Sequence, residues 1–139
     1  MVQTLRDVMT DRIVTVPSTA SLVDASKMMA DNDIGDVIVV EDETVSGVLT
    51  DRDIVVRGIA KGSEPKTTKV SEVVSGQVKT LTPDASIGDA VRMMTDGAIR
   101  RIPIVEDGRP VGIVSIGDLA MERDSDSALS DISSANPNN

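Results

Sequence analysis

The sequence predicts an α+β fold built from two tandem β-α-β-β-α repeats that pack on each other, through their sheets or their helices, with pseudo-twofold symmetry. Sliding the 139-residue chain by 65 positions aligns residues 5–54 with 70–119 without a gap. Identical pairs such as Gly47 and Gly112 recur along this alignment, and an ungapped register of this length indicates an internal duplication. Because a unit of about 60 residues buries too little surface to be stable alone, we expect the repeats to form one module.

Each repeat opens with a short β-rich run ending near a proline, DRIVTVP or GQVKTLTP, as expected for a short edge strand. Apolar residues at helical spacing follow in SLVDASKMMADN and SIGDAVRMMTDG. Ser21 with Asp24, and Ser86 with Asp89, predict capping boxes at the two helix starts. Two strands joined by a tight DE or DG turn come next, DVIVVED with TVSGVLT and RIPIVED with RPVGIVS. A second helix is predicted in DRDIVVRGIAKG and in IGDLAMERD.

These elements divide the chain into four parts. Repeat 1 spans residues 1–60, a polar linker with Gly and Pro spans 61–69, and repeat 2 spans 70–123. Residues 124–139 have little apolar content and no periodicity, so we expect a disordered tail.

Composition narrows the function mainly through what the chain lacks. It contains no His and no Cys, which removes the usual zinc ligands and the commonest general base, so we predict no metal site, no catalytic residues and no enzyme activity. A net charge of −9 and the absence of aromatic residues argue against nucleic acid as a partner. No apolar run approaches the ~20 residues of a membrane helix, and no signal peptide is evident. These features predict a cytoplasmic protein without a membrane partner.

The strings GVLTDRD and GIVSIGD place a hydroxyl three residues before a carboxylate at the start of each last helix. Thr50 with Asp53, and Ser115 with Asp118, therefore predict capping boxes, each stabilising a helix start by ~1 kcal/mol. The same side chains are also candidates for binding a ligand. Helix capping and ligand binding are compatible interpretations, because a capped side chain can still face a ligand.

The tandem units resemble a CBS-domain pair, or Bateman module, from Leu5 to Arg123. The resemblance rests on DVMT before the first strand, on DNDIGDVIVVED and DGAIRRIPIVED, and on the glycine, hydroxyl and aspartate of the two strings described above. Such a compact chain is similar to stand-alone tandem CBS proteins of bacteria and archaea. The resemblance implies that the two repeats pack through their sheets and form a sensor. Two clefts between the repeats would bind AMP, ADP, ATP or S-adenosylmethionine as regulatory ligands, with no obligatory cofactor. It also implies a homodimer formed through helices and an unknown protein target in trans. The alternative to a ligand sensor is a ligand-independent interaction or dimerisation module with degenerate clefts.

The resemblance further implies a set of nucleotide-binding residues. They are Thr50, Asp53, Ser115, Asp118, Arg100, Arg101, Arg52, Ile13, Val14, Val78, Lys79 and Pro103. The hydroxyl–carboxylate pairs would accept hydrogen bonds from ribose hydroxyls, and the two strand entries, Ile13 with Val14 and Val78 with Lys79, would flank the adenine.

Arg100 and Arg101 are the candidates for contacts with phosphate, because a planar guanidinium binds phosphate oxygens bidentately. Taken alone, without the resemblance, the two arginines are better interpreted as surface charges paired to carboxylates. Arg52 is likewise either a surface charge or a phosphate contact. Repeat 1 carries Gly35 and Asp36 at the positions of the two arginines, and a carboxylate repels phosphate. We therefore expect two unequal clefts.

Overall fold

A computed structural model describes residues 4–74 and 78–123, so the predicted disordered tail lies outside the described residues. The chain forms two compact units. The first unit is the continuous run 14–78, and the second combines residues 4–13 with 79–123. Both units contain helix and sheet, which agrees with the predicted mixed fold. No helix among residues 4–74 and 78–123 is long and apolar enough to cross a membrane.

The first unit is a three-stranded sheet with a helix between its first two strands. Its elements are β1 (Thr15–Pro17), α1 (Leu22–Asn32), β2 (Asp36–Glu41), β3 (Thr44–Thr50) and α2 (Asp51–Asp53). The strands lie in the order β1-β2-β3, with β1 parallel to β2 and β2 antiparallel to β3.

The second unit repeats this frame, but among the described residues its sheet has two strands instead of three. Its elements are α3 (Ile87–Gly97), β4 (Arg101–Glu106), β5 (Arg109–Ser115) and α4 (Ile116–Arg123). The two hairpins match residue for residue under the 65-residue shift. This includes a shift of register at the same place, between Val39 and Val40 of β2 and between Ile104 and Val105 of β4. The predicted DE and DG turns are confirmed. Both of their central residues have positive φ, namely Asp42 and Glu43 in one turn and Asp107 and Gly108 in the other, as two-residue hairpin turns require.

The predicted first strand of repeat 2 is shorter than expected, because within the described residues it is reduced to one bridge between Leu81 and Ile104. Proline accounts for the difference. In the first unit, Ile38 N–H donates to Val14 O at 2.9 Å and Ser18 N–H donates to Val40 O at 2.9 Å. The matching positions in repeat 2 are Pro103 and Pro83, which have no N–H to donate.

The second helix of repeat 1 departs from the predicted regular helix. After α2 it continues as a π-helical turn, Ile54–Gly58, and a 3₁₀ turn, Ile59–Lys61. Three consecutive β-branched residues followed shortly by Gly58 have low helix propensity. Gly58 also lies directly on α1, where a Cβ would come within 2.8 Å of Leu22 Cδ1. Close packing against α1 therefore stabilises this backbone where local propensity does not.

Each unit is completed by a short segment from the start of one of the repeats. The N-terminal lead (residues 4–10) packs in the second unit, where Leu5 is fully buried in the core. The middle lead (residues 69–74) packs in the first unit, where Val70 is fully buried. Each sequence repeat thus supplies a lead to the unit that contains the other repeat's hairpin.

The predicted linker, residues 61–69, is attached to the first unit along part of its length. Its carbonyls at Pro65 and Thr68 accept bonds from Val23 N–H and Leu22 N–H, both at 3.0 Å. These bonds satisfy backbone donors at the start of α1, which have no partner within the helix. The linker thus caps α1 as well as joining the repeats.

Candidate functional site

The predicted hydroxyl–carboxylate pairs form complete capping boxes in both repeats. Thr50 N–H donates to Asp53 Oδ2 at 3.0 Å, and Asp53 N–H donates to Thr50 Oγ1 at 3.1 Å. Ser115 N–H donates to Asp118 Oδ2 at 2.8 Å, and Asp118 N–H donates to Ser115 Oγ at 3.1 Å. All four residues are half-buried. The capping prediction is therefore confirmed, and each aspartate is held by one carboxylate oxygen while the other oxygen is outside the cap.

The capping boxes predicted at the first helices are only half formed. The hydroxyls of Ser21 and Ser86 accept bonds from Asp24 N–H and Asp89 N–H, both at 3.0 Å. Within the described residues, neither aspartate returns a bond to the serine backbone. Asp89 instead bonds the Arg92 side chain, so at this position a salt bridge along the helix replaces the reciprocal cap.

The second unit brings the two predicted phosphate-binding arginines next to its capping box. Arg101 begins β4 and is the cross-strand partner of Ser115, the last residue of β5. Side chains of directly paired residues project from the same face of a sheet. Arg100 precedes it and is exposed, and its carbonyl accepts a bond from Ile116 N–H at 2.9 Å. Arg100 and Arg101 thus lie at the same end of this hairpin as the Ser115–Asp118 capping box.

The first unit has the same backbone frame with the opposite charge. Asp36 is the cross-strand partner of Thr50, and Gly35 O accepts a bond from Asp51 N–H at 2.9 Å. The Asp51 carboxylate lies over Gly35, where a Cβ would be 3.2 Å from its Oδ2. Two carboxylates therefore occupy the region that carries two arginines in repeat 2.

The remaining predicted residues differ in how much surface they expose. Arg52 is exposed, and its N–H donates to Asp51 Oδ1 at 2.8 Å. Ile13, Val14 and Val78 are half-buried and Lys79 is exposed. The side chain of Pro103 is fully buried, so it offers no surface to a ligand, and it belongs to the packing of the second unit.

The structure also shows a neighbour of the candidate site that sequence reasoning missed. Arg57 Nε lies 3.8 Å from Asp53 Oδ1, the carboxylate oxygen outside the cap, and the Asp53 side chain is 17% exposed. The spacing of four residues on a predicted helix is the signal that would have identified this pair. The matching residue in repeat 2 is Glu122, so the sequence provides no cation at that spacing for Asp118.

The glycines of the GVLTDRD and GIVSIGD strings make room for the leads. A Cβ on Gly47 would lie 2.8 Å from Val74 Cγ2, and one on Gly112 would lie 2.6 Å from Met9 Sδ and 3.0 Å from Thr10 O. Each glycine thus allows a lead to approach its strand closely. In these strings the glycine serves packing, while the hydroxyl and carboxylate remain the candidates for binding.

An open groove of about 320 Å³ lies in the first unit between α1 and the second helix of repeat 1. Apolar side chains such as Met29 and Ile54 line it, together with the carboxylates of Asp33 and Asp51. It includes neither Thr50 nor Asp53, and its carboxylates repel phosphate. The groove is therefore separate from the predicted ribose-binding pair.

Sequence comparisons agree with this architecture. The family model for the CBS domain matches residues 5–58 and 70–124. CBS domain-containing protein YhcV of Bacillus subtilis (strain 168) is 39% identical over 136 residues, covering 95% of this chain and 96% of the relative. Hypoxic response protein 1 of Mycobacterium tuberculosis is 35% identical over 118 residues, covering 84% of this chain and 82% of the relative.

Solved structures show the same fold. Hypoxic Response Protein I with two coordinated zinc ions matches with a TM-score of 0.77 at 34% identity, covering 84% of this chain and 96% of that one. A hexameric CBS-CP12 protein from bloom-forming cyanobacteria matches with a TM-score of 0.79 at 28% identity, covering 89% and 70% of the two chains. The chain belongs to the CBS-domain family and carries two CBS domains in tandem.

Proposed function

We propose that this chain is a regulatory module that binds an adenosine-containing ligand, one of AMP, ADP, ATP and S-adenosylmethionine, and signals to a protein target in trans. CBS-domain pairs are generally regulatory modules. The relatives of this chain are CBS-domain proteins rather than enzymes. A ligand biases such a module only through different affinities for two states of the protein.

The observation that carries the proposal is the grouping of Arg100 and Arg101 with Ser115 and Asp118 at one end of a hairpin. A ribose presents two neighbouring hydroxyls. A carboxylate oxygen and a hydroxyl oxygen can each accept a hydrogen bond from one of them. A guanidinium binds phosphate oxygens with paired, charge-assisted hydrogen bonds. The capping box holds the Asp118 side chain in place before a ligand arrives, which lowers the entropic cost of binding.

The charges favour repeat 2 as the source of the stronger nucleotide contacts. Asp36 and Asp51 carry negative charge at the matching end of the repeat 1 hairpin, and Arg57 pairs with the Asp53 oxygen that a ribose would need. Arg52 restores one positive charge there. We therefore propose that Thr50 with Asp53 forms a weaker site, or one suited to a ligand without phosphates.

A ligand screen tests the proposal directly. The midpoint of thermal unfolding is measured with each of the four ligands, and a ligand at ~100 times its dissociation constant adds about 2.7 kcal/mol of stability. Isothermal titration then compares Asp118→Ala with Asp53→Ala. We expect Asp118→Ala to abolish the tighter binding event and Asp53→Ala to leave it intact.

The two variants also separate binding from capping, because each removes one capping box. If both lose about 1 kcal/mol of stability while ligand affinity is unchanged, the carboxylates serve only as caps. If no ligand shifts the unfolding midpoint, nucleotide sensing is the wrong function. S-adenosylmethionine as the only binder would leave the arginines without their proposed role.

A second candidate function, a ligand-independent dimerisation module, is favoured by exposed apolar side chains on the second helix of each repeat. Val55, Val56 and Ile59 of repeat 1 are 58%, 42% and 49% exposed, and Ile116 of repeat 2 is 56% exposed. The hexameric CBS-CP12 structure is an oligomer of related domains, which supports self-association. We propose a homodimer formed through these helices.

Light scattering tests this dimer. Val55→Lys with Ile59→Lys would give a folded monomer, and the matched control Lys61→Glu on the same helix would leave the dimer intact. Ligand binding measured on that monomer then distinguishes the two functions. Retained binding would show that sensing does not need the dimer, and a wild-type chain that is monomeric would exclude this interface.

Zinc is not proposed as a ligand, although the solved hypoxic response protein contains it. The chain has no His or Cys. Among residues 4–74 and 78–123, no three acidic side chains come together as a metal site. The donor atoms that zinc prefers are therefore missing here.

A further inference from the structure

The second unit depends on a segment that is remote in sequence. The first unit is one continuous run of chain, whereas the second needs residues 4–13 in addition to 79–123. The N-terminal lead adds the buried Leu5 to the core of this unit. The acceptor surface that receives the lead consists of the Pro83 and Ala85 carbonyls, Gly112 and the backbone of Ile113.

The acceptor surface binds the lead chiefly through the backbone. Leu5 N–H donates to Ala85 O and Arg6 N–H donates to Pro83 O, both at 2.9 Å. Thr10 N–H donates to Ile113 O at 2.9 Å, and Ile113 N–H donates to Thr10 O at 3.0 Å. A side-chain ion pair across this contact joins the exposed Arg6 and Asp84.

The middle lead shows that this mode of docking tolerates different side chains. Val70 N–H donates to Ala20 O at 2.8 Å and Ser71 N–H donates to Ser18 O at 3.1 Å, which repeats the first two bonds of the N-terminal lead at the matching positions. Both leads form a 3₁₀ turn here, Leu5–Asp7 and Val70–Glu72. Because the contact is made by backbone groups and a generic apolar fit, docking needs only this turn with apolar residues at the right spacing.

The connection that follows the N-terminal lead can change its path without breaking a helix or strand. Residues 11–14 form neither, and Asp11 and Arg12 are exposed. Every contact between lead and acceptor is the same whether the lead comes from the same chain or from a second copy. Exchange of an identical element between protomers is a low-cost route to a dimer.

We infer that the acceptor surface of the second unit also binds the N-terminal lead of a second copy of this chain, so that two chains form a dimer by exchanging leads. This contact differs from the helix-mediated dimer proposed above. It also does not depend on nucleotide binding, so either proposal can fail without the other.

Cysteine cross-linking on the full chain tests the exchange, because the chain has no cysteine of its own. A Cβ at position 112 lies 3.0 Å from Met9 Cγ, so a sulfur at that place is suitably positioned for a disulfide. A chain with Met9→Cys is mixed with a chain with Gly112→Cys under slow oxidation. We expect a disulfide-linked dimer whose yield rises with protein concentration.

The matched control pairs Met9→Cys with Gly47→Cys, the equivalent glycine of the first unit, whose acceptor is filled by the middle lead. The exchanged pair should give at least about fivefold more interchain product than this control. A chain carrying both Met9→Cys and Gly112→Cys should close the bond internally at low concentration.

Equal yields from the exchanged pair and the control would overturn the inference, as would failure of the double variant to close. If Gly112→Cys does not fold, the exposed pair Arg6→Cys and Asp84→Cys decides the question. The backbone beside these two positions is held together by the bonds of Leu5 N–H to Ala85 O and of Arg6 N–H to Pro83 O, both at 2.9 Å, so cysteines there are within reach of a disulfide. The absence of an interchain bond from that pair overturns the exchange equally.

Discussion

Repeat 1 and repeat 2 have hairpins of identical register, yet β1 forms a strand of three residues in repeat 1 whereas its counterpart in repeat 2 is a single bridge. The hairpins agree because each has a two-residue turn that fixes the pairing. The first strands differ because Pro103 and Pro83 replace the two flanking donors, Ile38 and Ser18. Two missing N–H groups can therefore shorten a strand without disturbing the hairpin beside it.

The same frame also carries opposite charges. Arg101 faces Ser115 where Asp36 faces Thr50, while both capping boxes keep nearly the same hydrogen-bond distances. The duplicated backbone conserves the position of a hydroxyl and a carboxylate, and the neighbouring side chains decide which ligand charge each repeat can accept.

The largest effect is expected from moving the proline of repeat 2 into repeat 1. Ile38→Pro removes the donor to Val14 and a fully buried aliphatic side chain. We expect it to lower the free energy of unfolding by about 3 kcal/mol or more. Urea denaturation measures the change.

Ile38→Val is the control, because it trims the side chain and keeps the N–H, and it should cost only about 1 kcal/mol. If the proline variant is no less stable than this control, backbone donors do not set the length of β1. In the reverse experiment, Pro103→Ile creates an amide whose hydrogen exchange should be slow if it bonds as Ile38 does.

Exchanging charges between the hairpins should have the next largest effect, this time on binding. Arg101→Asp gives repeat 2 the residue found in repeat 1, and it should weaken a phosphate-bearing ligand by about 10- to 100-fold, because a charge-assisted bond contributes roughly 1.5–3 kcal/mol. Asp36→Arg is the matched variant and should strengthen binding at repeat 1. Isothermal titration with ATP measures both changes, and equal affinities in all variants would refute the proposed phosphate role.

Most of the fold could be predicted from the sequence, because hydrophobic periodicity, turn residues and the duplication all indicate the same order of elements. The features of the fold that could not be predicted depend on single atoms. The donor lost at Pro103 and the close approach of Gly58 to Leu22 are invisible to a pattern of apolar and polar residues. The docking of each lead in the unit that contains the other repeat's hairpin was also missed, because local sequence does not say which repeat a segment will join.

In the candidate site too, some features could be predicted from the sequence and others could not. The Thr50–Asp53 and Ser115–Asp118 capping boxes were predictable from their three-residue spacing. The same spacing at Ser21 and Ser86 gave only half a box, so spacing does not by itself guarantee the reciprocal bond. The closeness of Arg101 to Ser115 depends on strand register, which the DG turn fixes but a list of motifs does not contain. The burial of Pro103 could be seen only in the folded structure. The resemblance implied a role in nucleotide binding for this residue but did not describe its surroundings.

A smaller effect is expected where the first helices end. Asp33 and Ala98 both have a left-handed backbone at these C-caps, with φ of 54° and 52°. Asp tolerates this conformation and Ala does not. Ala98→Gly should therefore raise the free energy of unfolding by about 1 kcal/mol. Asp33→Gly should change it less, and equal gains in thermal denaturation would show that the aspartate brings no advantage there.

The smallest effect concerns the ion pair of Arg57 with Asp53. Arg57 is half exposed and the two atoms are 3.8 Å apart, and such surface pairs contribute ~0.2–1 kcal/mol. Arg57→Gln should therefore leave the unfolding midpoint almost unchanged, while Arg57→Lys, the control, keeps the charge. If Asp53 holds a ribose, Arg57→Gln should also tighten binding at repeat 1, because a ligand no longer displaces the guanidinium from the carboxylate oxygen. A marked loss of stability with no gain in affinity would mean that Asp53 is committed to its helix, leaving Asp118 as the only carboxylate of the pair available to a ligand.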